Sequence, residues 1–230
     1  MISFFGVDLL SKIQKVTNTE FLEVFNGEAH LLLLDMIREN RYDIVHFNTS
    51  PIVYSLPFTK KISTPKVFTL HEQFTEVHQR VFDLYSDIPN NYFVSISDYQ
   101  RKPINKLNYI KTIYHGIDTH TLSYSDNPEG GIISCGRIHP TKGIDLAIDV
   151  SHKLNRELCI VGSIGYSHLD YFNEKIKPFV DNSISLIENI YEKTGISKLY
   201  GRSKLLLSPI QYEEPFGLVM TEAMACGTPV

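Results

Sequence analysis

The stretch "GIISCGRIHPTKGIDLAI", from Gly131 to Ile148, decides the fold. It opens with a short apolar run, Ile132 to Cys135, bounded by Gly131 and Gly136. Such a run reads as a strand covered on both faces. It closes on the start of a helix-length segment that continues to Leu154. The loop between them carries Arg137 and Lys142, with Thr141 as the expected N-cap. Strand, cationic loop and helix make the repeating unit of an α/β fold with parallel sheets. Ligands of such sheets sit beyond the carboxyl ends of the strands. Two cations there, beside free helix amides and the positive end of a helix dipole, form a site for a phosphate-bearing ligand. Arginine grips phosphate oxygens bidentately and lysine acts as a point charge. Read from spacing alone, both side chains also suit solvated cations on a loop.

Outward from this unit the pattern repeats. Before it come "YDIVHFN" (Tyr42–Asn48), "PKVFTLH" (Pro65–His71), "NYFVSIS" (Asn91–Ser97) and "IKTIYHG" (Ile110–Gly116). After it come "ELCIVG" (Glu157–Gly162), "SISLIE" (Ser183–Glu188) and "KLLLSPI" (Lys204–Ile210). All are apolar, rich in β-branched or aromatic residues, and bounded by turn formers. Helix-length segments separate those of the second half. The polar stretch Ser123–Gly131, with a proline and two glycines, is the best linker. It predicts two domains, residues 1–126 and 127–230. "LLLLDMI" (Leu31–Ile37) reads as a buried helix, too short for the roughly 20 residues of a membrane span.

Composition narrows the function classes. The 230 residues are 43% hydrophobic with a net charge of −4. No basic run gives nucleic acid a footprint. Cys135, Cys159 and Cys226 are far apart and lack metal-ligand spacing, which fits small buried hydrophobes in a reducing compartment. The N-terminal "MISFFGVDLL" has neither a basic n-region nor a cleavage site, so a cytoplasmic location is expected. "HEQFTEVH" is not a zinc-protease motif, because Thr75 stands where its second histidine belongs. There is no phosphate-loop GxxxxGK[ST], no complete GxGxxG and no GxSxG.

The end of the chain carries the second cluster. After "KLLLSPI" comes "QYEEPFGLVMTEAMACGTPV". Pro215 and Gly217 hold Glu214 in the loop, and a helix is expected from near Phe216–Leu218 to Ala225 or Cys226. Gly227 suits its C′ position and Pro229 prevents continuation. Glu222 is then a lone carboxylate among apolar neighbours, expected to be buried and to need a partner. A ligand's hydroxyls, Arg137 and Lys142 are the alternatives, and a structural ion pair remains open. The first-turn amides of Gly217, Leu218 and Val219 are free to meet an anion. His71, at the end of its strand, can face a crevice, or can be merely structural.

These residues resemble a known family. "GRIHPTKGIDLAI", "LCIVGS" and "YEEPFGLVMTEAMACGTPV" look like the nucleotide-binding half of retaining GT-B glycosyltransferases, in particular family 4 (glycosyltransferases group 1). Glu214 and Glu222, eight positions apart with "PFGL" between them, and "GR" followed by "KG" carry the likeness. "DIVHFNTS", "TLHEQF", "FVSIS" and "YHGID" add weaker matches in the right order. The resemblance implies two Rossmann-like domains facing a cleft, an acceptor-side one followed by one that binds the nucleotide sugar. It implies a nucleotide diphosphate sugar as donor, sugar transfer with retention, no metal and no other cofactor. Arg137 and Lys142 would hold the diphosphate and Glu222 the ribose. Glu214 and His71 would reach the donor sugar, and Phe216, Gly217 and Leu218 would line sugar and phosphate. The acceptor is a sugar, a lipid or a small molecule, with peripheral membrane contact open. Against the family pattern, the opening glycine-rich loop and the strands after "GTPV" are missing, so an incomplete C-terminal domain is expected. A non-catalytic nucleotide-sugar-binding fragment or partner subunit is the alternative.

Overall fold

A computed structural model describes residues 30–48, 52–188, 190 and 193–230. The sequence supplies eight strands there, one for each apolar run, and every pairing is parallel. The chain divides into two compact units between Tyr114 and His115. That division falls ahead of the Ser123–Gly131 stretch expected to carry it. The reason is hydrogen bonding: Ser125 N donates to Cys226 O at 3.0 Å and Gly130 N to Arg202 O at 2.7 Å. The polar stretch is thereby fastened to the second unit. The opening Met1–Leu10 lies outside the described residues.

The first unit holds one sheet, ordered β1 (Val45–Phe47), β2 (Lys66–Leu70), β3 (Asn91–Ser95), β4 (Tyr109–Thr112). The register aligns Phe47, Phe68, Phe93 and Tyr109 across it. Their rings follow one another at 4.7, 5.2 and 6.3 Å between centroids. Cross-strand aromatic pairs stabilise a sheet beyond the area they bury. Phe82, from helix α2 (Glu76–Tyr85), meets Phe93 edge-on at 5.8 Å. Lys66 is the buried exception in this core. Its ammonium donates to Ile62 O at 2.8 Å and Pro89 O at 3.2 Å, and burial pulls its pKa down. Residues 30–39 form helix α1, as expected, but only in part a buried one: Leu34 is buried while Leu31 and Leu32 are exposed.

The second unit holds β5 (Ile132–Cys135), β6 (Leu158–Val161), β7 (Ile184–Ile187) and β8 (Leu205–Leu206), in the order β7-β6-β5-β8. Side chains alternate between the faces of a strand. Ile132, Leu158 and Ile160 pack with Ile144, Ala147 and Ile148 of α3 (Ile144–Leu154). Ile133 and Val161 pack with Tyr200 of α5 (Lys193–Arg202) and Ala223 of α6 (Leu218–Ala225). Partly buried Tyr171 and Phe172 of α4 (Leu169–Lys175) join the first of these clusters. Both faces are therefore covered, which is why these strands read as unbroken apolar runs rather than alternating ones. No helix among the described residues is long and apolar enough to cross a membrane.

Candidate functional site

The strand order of the second sheet locates the site. The chain begins at β5, steps outward to β6 and β7, then returns to the other side of β5 as β8. The direction of winding reverses between β5 and β8. Open α/β sheets bind their ligands beyond the strand ends at such a reversal. Gly136 and Arg137 follow β5, and residues 207–217 follow β8.

Backbone contacts bring these two loops together. Gln211 N donates to Thr141 O at 2.7 Å. Gly143 takes a left-handed conformation, φ 65°, and a Cβ there would stand 2.1 Å from Pro209 O. Only glycine allows that conformation and that approach together. Gly143 is also the residue that precedes α3 as its N-cap, which corrects the expectation for Thr141. Thr141 instead lies inside a short 3₁₀ turn, Pro140–Lys142, capped by His139. His139 Nδ1 accepts from Thr141 N at 3.0 Å, so its ring proton sits on Nε2.

The consequence is a polar cluster at the reversal. Lys142 Nζ lies 2.8 Å from Glu214 Oε2, and both side chains are about four-fifths buried. Lys142 Nζ also donates to the Tyr212 hydroxyl at 2.5 Å, and that hydroxyl donates to Glu214 Oε2. The ammonium also stands over the Tyr212 ring, 4.7 Å from its centre, within cation–π range. Burial pulls the Lys142 pKa down, but the hydrogen bonds from Glu214 and Tyr212 outweigh it and leave the value above the ordinary one. Burial, followed by the hydrogen bond to Glu214, pushes the Tyr212 phenol up. Lys142 is thus a fully charged, doubly tethered cation.

The other expected residues distribute around this cluster. Arg137 is exposed at the strand end. His139 and His168 meet edge-on with ring centroids 4.1 Å apart. Burial first, then His168, Arg137 and Lys142, lower the His139 pKa, so the surroundings of this ring disfavour its second proton. Phe216 is held edge-on by His115 at 5.2 Å. Gly217 caps α6 from a left-handed conformation, and Leu218 and Val219 lie in the first turn, where a helix offers their amides no acceptor. At its far end Thr228 N bonds Ala223 O and Gly227 N bonds Met224 O, with Gly227 left-handed at φ 89°. That is the Schellman closure expected of Gly227 at C′.

Glu222 differs from expectation in two respects. It is half-buried rather than enclosed, and the ion pair of Lys142 is with Glu214. Its carboxylate stands near the half-buried Cys135 and the buried Tyr200 and Cys226. It adds to the burial that already raises each of their pKa values. His71 belongs to the first unit, just after β2, where its Nε2 meets Asn48 Oδ1 at 2.5 Å. Tyr212 was not foreseen. Among the described residues no group of three His, Cys, Asp or Glu side chains is placed to hold a metal ion.

Three known proteins share this architecture or sequence. An uncharacterized glycosyltransferase of Methanocaldococcus jannaschii is 24% identical over 237 residues, and the match covers 94% of this chain but 64% of the relative. The crystal structure of AviGT4, a glycosyltransferase involved in avilamycin A biosynthesis, superposes with a TM-score of 0.56 at 16% identity. That match covers 87% of this chain and 58% of AviGT4. The UDP-GlcNAc 2-epimerase of Methanocaldococcus jannaschii, solved with UDP-GlcNAc and UDP, gives a TM-score of 0.51 at 10% identity, covering 89% of this chain and 63% of the epimerase. Identities this low establish the fold alone, and that fold is GT-B. Arg137, Lys142, Tyr212, Glu214 and Glu222 all fall within residues 124–230, which match the model of the family described as glycosyl transferases group 1.

Proposed function

We propose that this chain carries the donor site of a glycosyltransferase of the retaining, family 4 kind. It would move a sugar, of hexose type, from a nucleoside diphosphate sugar to an acceptor. The observation that carries the proposal is the meeting of Lys142 with Glu214 at the reversal between β5 and β8, beside the first turn of α6. The departing nucleoside diphosphate gains negative charge as the glycosidic bond breaks. Cations and amides fixed in advance lower the barrier more than groups that must reorganise. Arg137 and Lys142 are assigned to the diphosphate. Phe216, Gly217 and Leu218 line it, Glu222 accepts from the ribose hydroxyls, and Glu214 accepts from the sugar. These cations and the α6 amides stand in for a divalent ion. The three cysteines are unpaired, which suits a reducing cytoplasm.

Titrating nucleoside diphosphates and their sugars, first by thermal shift and then by calorimetry, tests the reading. Charged hydrogen bonds are worth about 1.5–3 kcal/mol, so Arg137→Ala and Lys142→Ala should each weaken diphosphate binding about tenfold or more. Chelation with EDTA should leave the affinity unchanged. Glu222→Gln should harm nucleotide binding more than Glu214→Gln; the reverse order would exchange their roles. Binding of a nucleoside diphosphate without release from any sugar donor would favour a binding subunit over an enzyme. Absence of binding by every nucleotide would sink both.

A further inference from the structure

Tyr212 opens the "YEEPFGL" stretch without an assigned role, yet it touches both charged groups of the cluster. Its single phenol proton goes to Glu214 Oε2, and its oxygen accepts from Lys142 Nζ. Glu214 Oε2 therefore receives two donors, Tyr212 and Lys142, and Oε1 is the oxygen left to accept from a ligand. An ammonium has three N–H bonds. Two point at Tyr212 and Glu214, and one is left. The loop that carries Tyr212 is itself pinned to the Lys142 turn by Gln211 N on Thr141 O.

We propose that Tyr212 is a positioning residue of the donor site. It holds the Lys142 ammonium at one edge of the Glu214 carboxylate, with a third N–H presented to the pyrophosphate and Oε1 presented to a sugar hydroxyl. A lysine on four rotatable bonds, facing a carboxylate alone, settles wherever the pair is tightest. The phenol adds a second fixed point and removes that freedom before a ligand arrives, which lowers the cost of binding. The proposal rests on the assignment of this cluster to a nucleoside diphosphate sugar.

A double-mutant cycle on the full chain tests it, using Tyr212→Phe, Lys142→Met and the pair. The ligands are the diphosphate and monophosphate of whichever base the wild type binds best among UDP, GDP, ADP, CDP and TDP. Calorimetry reads affinity and thermal unfolding reads integrity. Tyr212→Phe should weaken the diphosphate about fivefold, the worth of a typical hydrogen bond, and leave the monophosphate unchanged. In the Lys142→Met background the same change should cost nothing more, because Tyr212 acts through Lys142. Equal weakening of both nucleotides, or additive losses, would mark Tyr212 as a structural residue and overturn the proposal. Normal diphosphate binding by Tyr212→Phe would overturn it while leaving the donor site standing. A wild type that binds no nucleotide would remove the donor site itself.

Discussion

A largely buried ammonium pressed against a carboxylate is usually a spent charge. Lys142 is not, because one N–H remains beyond Tyr212 and Glu214, and Arg137 adds a second cation to the same loop. His139 reports on both cations. Burial, then His168, Arg137 and Lys142, hold its pKa below the ordinary 6.5. The folded state thus disfavours the His139 proton. The associated stability is present above pH 6.5 and is lost as pH falls through the lower folded value. An anion bound among these cations reverses the balance. Saturation with a nucleoside diphosphate should therefore raise the His139 pKa, and Arg137→Ala should raise it without ligand. Proton NMR of the ring follows both. A His139 that titrates identically with and without nucleotide would place the phosphates elsewhere. At this scale the placement of Arg137, Lys142 and Glu214 beyond the strand ends was legible, because charged residues just after apolar runs stand out. Tyr212 was not: a tyrosine in a loop has no spacing signature, and its role exists only once two loops 70 residues apart close together. Thr141 was misread for a related reason. It has the chemistry of a cap, but the chain inserts a 3₁₀ turn and the cap passes to His139 and Gly143.

Among the elements, the turn before α3 bears the most weight. Gly143 combines a left-handed backbone with contact to Pro209 O. Gly143→Ala would face the left-handed penalty of about 1–2 kcal/mol. The new methyl would also push the two loops apart. The expected outcome is a loss of stability of about 2–3 kcal/mol in denaturant unfolding. Nucleotide affinity should fall as well, since Lys142 and Glu214 sit on opposite sides of the displaced contact. A variant that keeps full affinity would show that the site tolerates separation of its loops. The four strands of the second unit were legible because burial on both faces leaves an apolar run with no polar face to obscure it. Helix α1 was less so. Four leucines in a row suggest burial all round, yet a helix turns 100° per residue, and the structure buries Leu34 while exposing Leu31 and Leu32.

In the whole molecule, composition signalled a break but not its owner. The polar stretch 123–131 looks like a linker because it lacks apolar residues. Its backbone amides nonetheless find acceptors at Cys226 and Arg202, and those bonds assign it to the second unit. Sequence shows where a chain turns; it does not show which partner will satisfy the turn. The order β7-β6-β5-β8 has a kinetic consequence. The strands β5, β6 and β7 pair with near neighbours in sequence, whereas joining β8 to β5 and Glu214 to Lys142 closes a loop of 72 residues. Loops of that length close late, after the local pairs have formed. The donor site is then absent from the rate-limiting barrier to folding. Bound nucleotide should slow unfolding in proportion to its stabilisation and leave the refolding rate untouched. Stopped-flow chevrons with and without ligand read the two arms separately, and a faster refolding arm would mean that the site forms early. Occupancy by donor would thus set how long the native state survives rather than how quickly it is reached.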